Sequence, residues 1–253
     1  MGRIYGYKVD RILETQAQAD AAMYDASSRG YRRVDRLQVA GRKDIGDYEY
    51  VNRSGSTQRN SEDIINEEDQ FMLGYAVPHS TGGVGNTFRY KNFRLNIYVD
   101  YAVGHSINNE LQGLFMRSTM GNCNLNLSRE VFKCWSQPGD NTKYARLTAN
   151  DSDWGNRNYS RTTNVFVEKG DYLCLRDVSL SYSLPSKMVS KLRINDLTFT
   201  VSGNTLCYLT AVTGVSPEAV TVGSLYEPAT TYSTTYDPYP PTRKILFGIK
   251  ITL

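Results

Sequence analysis

The last ten residues, KILFGIKITL, alternate with a period of two. Ile245, Phe247, Ile249, Ile251 and Leu253 share one parity. Lys244, Lys250 and Thr252 share the other, with small Gly248 and one exception, Leu246. Successive side chains of a strand point to opposite sides, so this pattern is a strand with one apolar face. The pattern recurs upstream. Phe93, Leu95, Ile97, Val99 and Tyr101 oppose Arg94, Asn96, Tyr98 and Asp100. Val178, Leu180, Tyr182 and Leu184 oppose Ser179, Ser181 and Ser183, and Leu197, Phe199 and Val201 oppose Thr198, Thr200 and Ser202. A chain built this way is all-β and antiparallel. Its one-sided strands have two destinations. In a soluble sandwich the apolar side faces a core. In a membrane barrel it faces lipid, and the polar side faces the lumen.

The connections separate into short and long. Tyr90-Lys91-Asn92 joins two strands as a hairpin, and Pro185 stops a strand before the connector SKMVSKL, residues 186 to 192. Residues 105 to 169 and 211 to 242 are long, polar and poor in strand signals, and the second holds five of the eight prolines. Long loops on one side and short turns on the other are the habit of an outer-membrane barrel. Tyr90, Tyr101, Tyr172, Tyr182 and Tyr208 stand near strand ends, where an interfacial girdle would place them. The β-propensity of tyrosine places them there equally well. Two short helices are expected, one in ETQAQADAAMYDASSR (residues 14 to 29) with Thr15 as N-cap, and one in INNELQGLFMRS.

Composition narrows the function classes. The net charge is +3 and the 29 basic residues are scattered, so no basic face for nucleic acid forms. No run of 18 apolar residues is present, which excludes a spanning helix and leaves a barrel open. The leading MGRIYGYKVDRILETQ has no apolar signal-peptide region. Only His79 and His105 exist, with no CxxC, so no zinc site is expected. The acidic run Glu62, Asp63, Glu67, Glu68 and Asp69 lacks the ligand spacing and the glycine of a calcium loop. No cofactor follows from the sequence. No G-x-S-x-G occurs and nothing frames a carboxylate pair, so no enzyme is expected. Cys123 and Cys134 lie eleven apart, which suits a disulfide in an oxidising compartment and equally two free thiols.

Several stretches resemble the late barrel of the SusC/RagA family of TonB-dependent outer-membrane importers. They are YGYKVDRI, GDYEYVN, and INEEDQFMLGYAVPHSTGGVGNTFRYKNFRLNIYVDYAVGH. The stretch from PGDNTKYARL through GDYLCLRDVSLSYSLP and LTFTVSGNTL continues the likeness, as does the ending PPTRKILFGIKITL. The resemblance covers essentially all of residues 1–253, in the family's order. It implies the last six to eight strands of a 22-stranded plugged barrel, with long extracellular loops. It implies uptake of glycans or peptides together with a SusD-like surface lipoprotein, in the outer membrane of a Gram-negative, Bacteroidota-type bacterium. It also implies TonB energisation through a plug domain and TonB box that these residues do not contain. The chain is therefore expected to be a C-terminal fragment, not a competent transporter alone. Under this reading Ile245, Phe247, Ile249, Ile251 and Leu253 mark the strand that closes the barrel. The family usually ends on an aromatic residue, where this chain has Leu253.

Loop aromatics near Asn, Asp and Arg are the material of a sugar or peptide contact. Trp135, Trp154, Tyr232 and Tyr236 are the candidate substrate-binding residues. The competing reading is a soluble β-sandwich carbohydrate-binding module that uses the same aromatics. The two readings part at the strand faces, which a sandwich buries in protein and an importer shows to lipid.

Overall fold

The computed structural model describes residues 2–22, 24–25, 43–53, 64–65, 69–116, 127–147, 158–159, 161–190, 194–218 and 241–252. In chain order the strands begin with β1 (Arg3–Gly6), β2 (Val9–Ile12), β3 (Tyr24–Asp25), β4 (Tyr48–Tyr50), β5 (Ile64–Ile65) and β6 (Phe71–Tyr75). The long strands β7 (Ser80–Tyr90) and β8 (Phe93–Val103) follow, then β9 (Ser106–Asn108) and β10 (Val167–Lys169). The chain ends with β11 (Tyr172–Ser183), β12 (Asp196–Thr210) and β13 (Lys244–Thr252). Helices α1 (Gln16–Ala21), α2 (Glu110–Met116) and α3 (Ser186–Val189) are short. The chain divides into two compact units.

The first unit takes its described residues from Met1–Ala76 and Ser106–Glu168. Its strands stand in two-stranded pairs: β1 with β6, β2 with β4, β3 with β5 and β9 with β10. Thr15 caps α1 through a reciprocal box with Gln18, as the Thr-x-x-Gln spacing requires. The helix stops at Ala21, well short of the expected residue 29, and Tyr24–Asp25 is extended instead. Six residues are too few for a helix to stand on propensity alone, so its length follows the packing of Leu13, Ala19 and Ala22. Tyrosine builds much of this unit's core. Tyr7, Tyr48, Tyr50, Ile65 and Ala145 form one cluster, and Met116, Tyr144, Tyr159 and Phe166 another. Buried hydroxyls need partners: Tyr48 Oη donates to the Lys143 carbonyl at 2.8 Å, and Tyr159 Oη to the Ala145 carbonyl. Asp47, fully buried, accepts from Arg146 Nε at 2.8 Å, Asn158 Nδ2 at 2.9 Å and the Asp44 amide at 2.9 Å. Those bonds tie three distant segments and offset the desolvation of the charge.

The second unit takes Val77–His105, Lys169–Ala219 and Pro238–Leu253. It is one antiparallel sheet in the order β13-β12-β11-β8-β7. The β7–β8 hairpin turns on Lys91 and Asn92, with Lys91 at φ 51°, the positive φ a tight two-residue hairpin needs. The expectation of six to eight strands rested on the length left over. Among the described residues the continuous sheet holds five, and further strands stand in the first unit's short pairs.

Register sets every apolar parity on the same face. Phe88, Leu95, Leu180, Val201 and Phe247 form one row across all five strands. Tyr90, Phe93, Tyr182 and Phe199 form the next, beside Ile249. That aromatic row lies at the end with the short connections, and Phe93 packs on Tyr182 at 4.6 Å between centroids. Tyr101 closes the other end of the face on β8. From Phe93 to Tyr101 the strand runs roughly 26 Å at ~3.3 Å per residue, or about 20 Å along a membrane normal when tilted ~40°. That is the scale of an apolar band between aromatic girdles.

Candidate functional site

The apolar face is open. Val84 is 69% exposed, Phe247 80% and Ile249 66%, and Phe88, Leu180, Phe199 and Val201 are exposed as well. A sandwich would bury these side chains under a second sheet. Among the described residues none covers them, and a patch of this extent marks a membrane or an interface. The sandwich expectation falls on that point.

The opposite face is a hydrogen-bonded polar wall. Thr87 Oγ1 donates to Asn96 Oδ1 at 2.9 Å, and Asn96 Nδ2 to Ser179 Oγ at 3.0 Å. The hydroxyls of Ser181 and Thr200 lie 2.9 Å apart, as do those of Ser183 and Thr198. Asn204 Nδ2 donates to Asp177 Oδ2 at 2.6 Å. Each such bond contributes about 0.5–1.5 kcal/mol net, and together they stitch β7, β8, β11 and β12 on the side away from the apolar face.

At the end of this wall nearer the long connections sits a charged cluster. Arg176 is an extra residue in β11: Leu175 pairs with Val99 and Asp177 with Tyr98, leaving Arg176 between them. On β12 the same gap falls opposite Thr205, at φ 53°, and Leu206. A bulge re-aims a side chain, and here it turns the guanidinium onto the polar face. Arg176 Nε donates to Asp100 Oδ1 at 2.9 Å and Nη2 to Asp100 Oδ2 at 2.7 Å, a two-pronged pair. Its remaining N–H groups meet Glu218, with Nη1 3.1 Å from Oε2 and Nη2 against Oε1. Tyr208 Oη donates to Glu218 Oε2 at 2.6 Å. The Tyr172 and Tyr208 rings meet edge to face at 5.9 Å. Burial works to raise the Glu218 carboxyl, but hydrogen bonds from Arg176, Tyr208 and Tyr172 outweigh it and hold the group below the ordinary carboxylate value. Tyr172 and Tyr208, expected at a girdle, thus serve the polar face instead, because their register partners are Ala102 and Cys174.

Beside the cluster, burial holds the His105 imidazole below its ordinary value despite the nearby Asp171 charge. Its Nδ1 has no hydrogen-bond partner among the described residues.

The expected site residues are scattered. Trp135 lies in the first unit with its indole against Gly46 and its Nε1 buried. Trp154, Tyr232, Tyr236, Cys123 and Leu253 fall outside the described residues. Cys134 is a free thiol 3.4 Å from Tyr159 Oη, and burial raises it. Ile245, Phe247, Ile249 and Ile251 lie on the apolar face of β13, which is an outer strand of the sheet. Sequence reasoning missed Arg176, Asp100 and Glu218. One signal was present. The apolar parity of DYLCLRDVSLSYSLP changes across Arg176, from Leu173 and Leu175 to Val178 and Leu180, and that change is a bulge.

An antiparallel sheet whose apolar face is open and whose polar face is hydrogen-bonded suits the wall of a β-barrel. No family model matches the sequence. It is 28% identical over 155 residues to TonB-dependent receptor P3 of Formosa agariphila, covering 61% of this chain and 14% of that protein. To TonB-dependent receptor P39 of the same organism it is 24% identical over 269 residues, covering 99% of this chain and 25% of that protein. The fold is similar to the RagAB peptide importer in its open-open state, with a TM-score of 0.60 and 16% identity, over 92% of this chain and 22% of that one. The closed-closed state of the same importer gives a TM-score of 0.60 over 99% of this chain and 23% of that one. In sequence and fold the chain is similar to SusC/RagA-type TonB-dependent receptors. It spans 14% to 25% of the length of these relatives.

Proposed function

We propose that this chain is part of the barrel wall of an outer-membrane, TonB-energised importer. The observation that carries the reading is the partition of the five-stranded sheet, whose apolar side chains share one exposed face and whose polar side chains are stitched together on the other. The first face meets lipid and the second lines the lumen. The relatives' names support a TonB-dependent receptor, and the likeness to the RagAB peptide importer supports a SusD-like surface lipoprotein as partner. Peptides and glycans are the two substrate classes. Trp135, Trp154, Tyr232 and Tyr236 remain candidate contacts for them. TonB acts through a plug that other parts of the receptor supply.

The five strands do not transport alone. β13 and β7 are the outer strands of the sheet, and in hydrocarbon each unpaired backbone group costs several kcal/mol. Those edges pair with other strands of a larger barrel. An immunoblot of fractionated native cells tests the reading. A band in the outer membrane well above 28.6 kDa is expected. A soluble band near 28.6 kDa would overturn it.

A further inference from the structure

We propose that Arg176, Tyr172 and Tyr208 form a carboxylate-binding cradle on the polar face of the sheet, in which the chain's own Glu218 stands in for the carboxylate of a ligand. The inference deepens the import reading by naming a chemical class of substrate, and rests on that reading for how a ligand arrives.

The cradle is built in advance of its occupant. The bulge in β11 turns Arg176 onto the polar face. Asp100 engages Nε at 2.9 Å and Nη2 at 2.7 Å, which fixes the plane of the guanidinium. The outward N–H groups of Nη1 and Nη2 are then left as a rigid fork, and such a fork matches a carboxylate. Tyr208 Oη, 2.6 Å from Glu218 Oε2, adds a third donor, with the Tyr172 ring edge to face against the Tyr208 ring at 5.9 Å. Arg176 on β11 and Tyr208 on β12 belong to neighbouring strands, and Asp100 on β8 orients the guanidinium, so the donor set is held by sheet register. The occupant is different. Glu218 comes from the non-regular segment 211–218 that follows β12. The cluster is only partly screened from water, with side-chain exposures of 29% for Arg176 and 27% for Glu218.

Exchanging one carboxylate for another leaves the charge of the cluster unchanged. A ligand therefore competes only against the tethering of Glu218, an effective concentration on the order of mM for a short flexible link. A simple carboxylate should displace Glu218 weakly, and a ligand with further contacts more strongly. When it does, the 211–218 segment is released from the wall. The carboxylate has two sources under the import reading, the C-terminus of a peptide or the acid group of a uronate-containing glycan.

The test uses the protein purified in detergent, with hydrogen exchange read over 211–218. The probes are a short peptide with a free C-terminus, the same peptide amidated, a uronate disaccharide and its methyl ester. The free acids should raise exchange across 211–218, and the amide and ester should leave it unchanged. A response to one free acid alone identifies the source. Glu218→Gln, which removes the built-in competitor, should bind the active acid about tenfold tighter, since a neutral amide occupies the fork poorly. Arg176→Gln should bind neither. If that variant does not fold, Tyr208→Phe should bind about fivefold more weakly through loss of one hydrogen bond. No acid-dependent exchange, or no gain in Glu218→Gln, overturns the cradle. Binding involves no transport step, so a failed displacement in a protein found in the outer membrane defeats the cradle alone. Displacement in a soluble protein defeats the import reading alone.

Discussion

Glu218 sits where burial and hydrogen bonding pull its carboxyl in opposite directions, and hydrogen bonding from Arg176, Tyr208 and Tyr172 prevails. Its folded value is depressed, so the unfolded chain binds the proton more readily than the folded one. The stability it contributes is fully present above the unfolded carboxyl value, ~4.3 for glutamate, and is lost as pH falls through the lower folded value. The facing groups are Arg176, Asp100, Tyr172, Tyr208 and Cys174, and Arg176 keeps its charge throughout. Hydrogen exchange across 211–218 should therefore stay slow at neutral pH and rise only on strong acidification. A rise between pH 8 and pH 6 would contradict this. In the first unit, Gly46 has φ +86°, and a Cβ there would stand 2.3 Å from Trp135 Cε3. Gly46→Ala should cost about 1–3 kcal/mol through backbone strain and overpacking, seen as faster exchange around 43–50. An unchanged exchange rate would show that the indole is free to leave, as a substrate platform would be.

At the scale of the element, parity does most of the explaining. The register of β12 with β13 puts Phe199 beside Ile249 on one face and Thr198 beside Lys250 on the other. Ile245→Arg, in the row of Ile97 and Val178 midway between Phe93 and Tyr101, should cost roughly 2–4 kcal/mol near the bilayer midplane, while Lys250→Arg on the polar face should cost little. The yield of folded protein in outer membranes measures both, and equal effects would contradict the assignment of faces. These strands were legible in the sequence because alternation over six or more residues has one reading. The hairpin at Lys91-Asn92 and the stop at Pro185 were legible for the same reason, since turn chemistry is local. Helix α1 was legible at its start and not at its end. Thr15 and Gln18 announce the cap, but Ala22 closes the helix under tertiary packing that composition does not record. The Arg176–Glu218 cluster was missed because its members are separated by up to 118 positions from Asp100 and joined by strand register and by the segment 211–218.

At the scale of the whole molecule, the two units spend their tyrosines differently. In the first, Tyr7, Tyr48, Tyr50 and Tyr159 fill a core and their rings meet at 5.8 to 6.5 Å. In the second, Tyr90 and Tyr182 edge an apolar face while Tyr172 and Tyr208 hold a carboxylate on a polar one. Composition alone could not divide these roles, because all three suit an amphipathic ring. On the importer reading, one face of the β12–β13 pair meets lipid and the other meets water. With the four native cysteines replaced, nitroxide labels placed one at a time from 198 to 201 and from 247 to 250 in the membrane-embedded protein would measure this directly. Labels at 199, 201, 247 and 249 should favour collision with lipid-soluble oxygen, and those at 198, 200, 248 and 250 with a water-soluble nickel chelate. Accessibility without that two-residue alternation, or alternation of the opposite phase, would contradict the account.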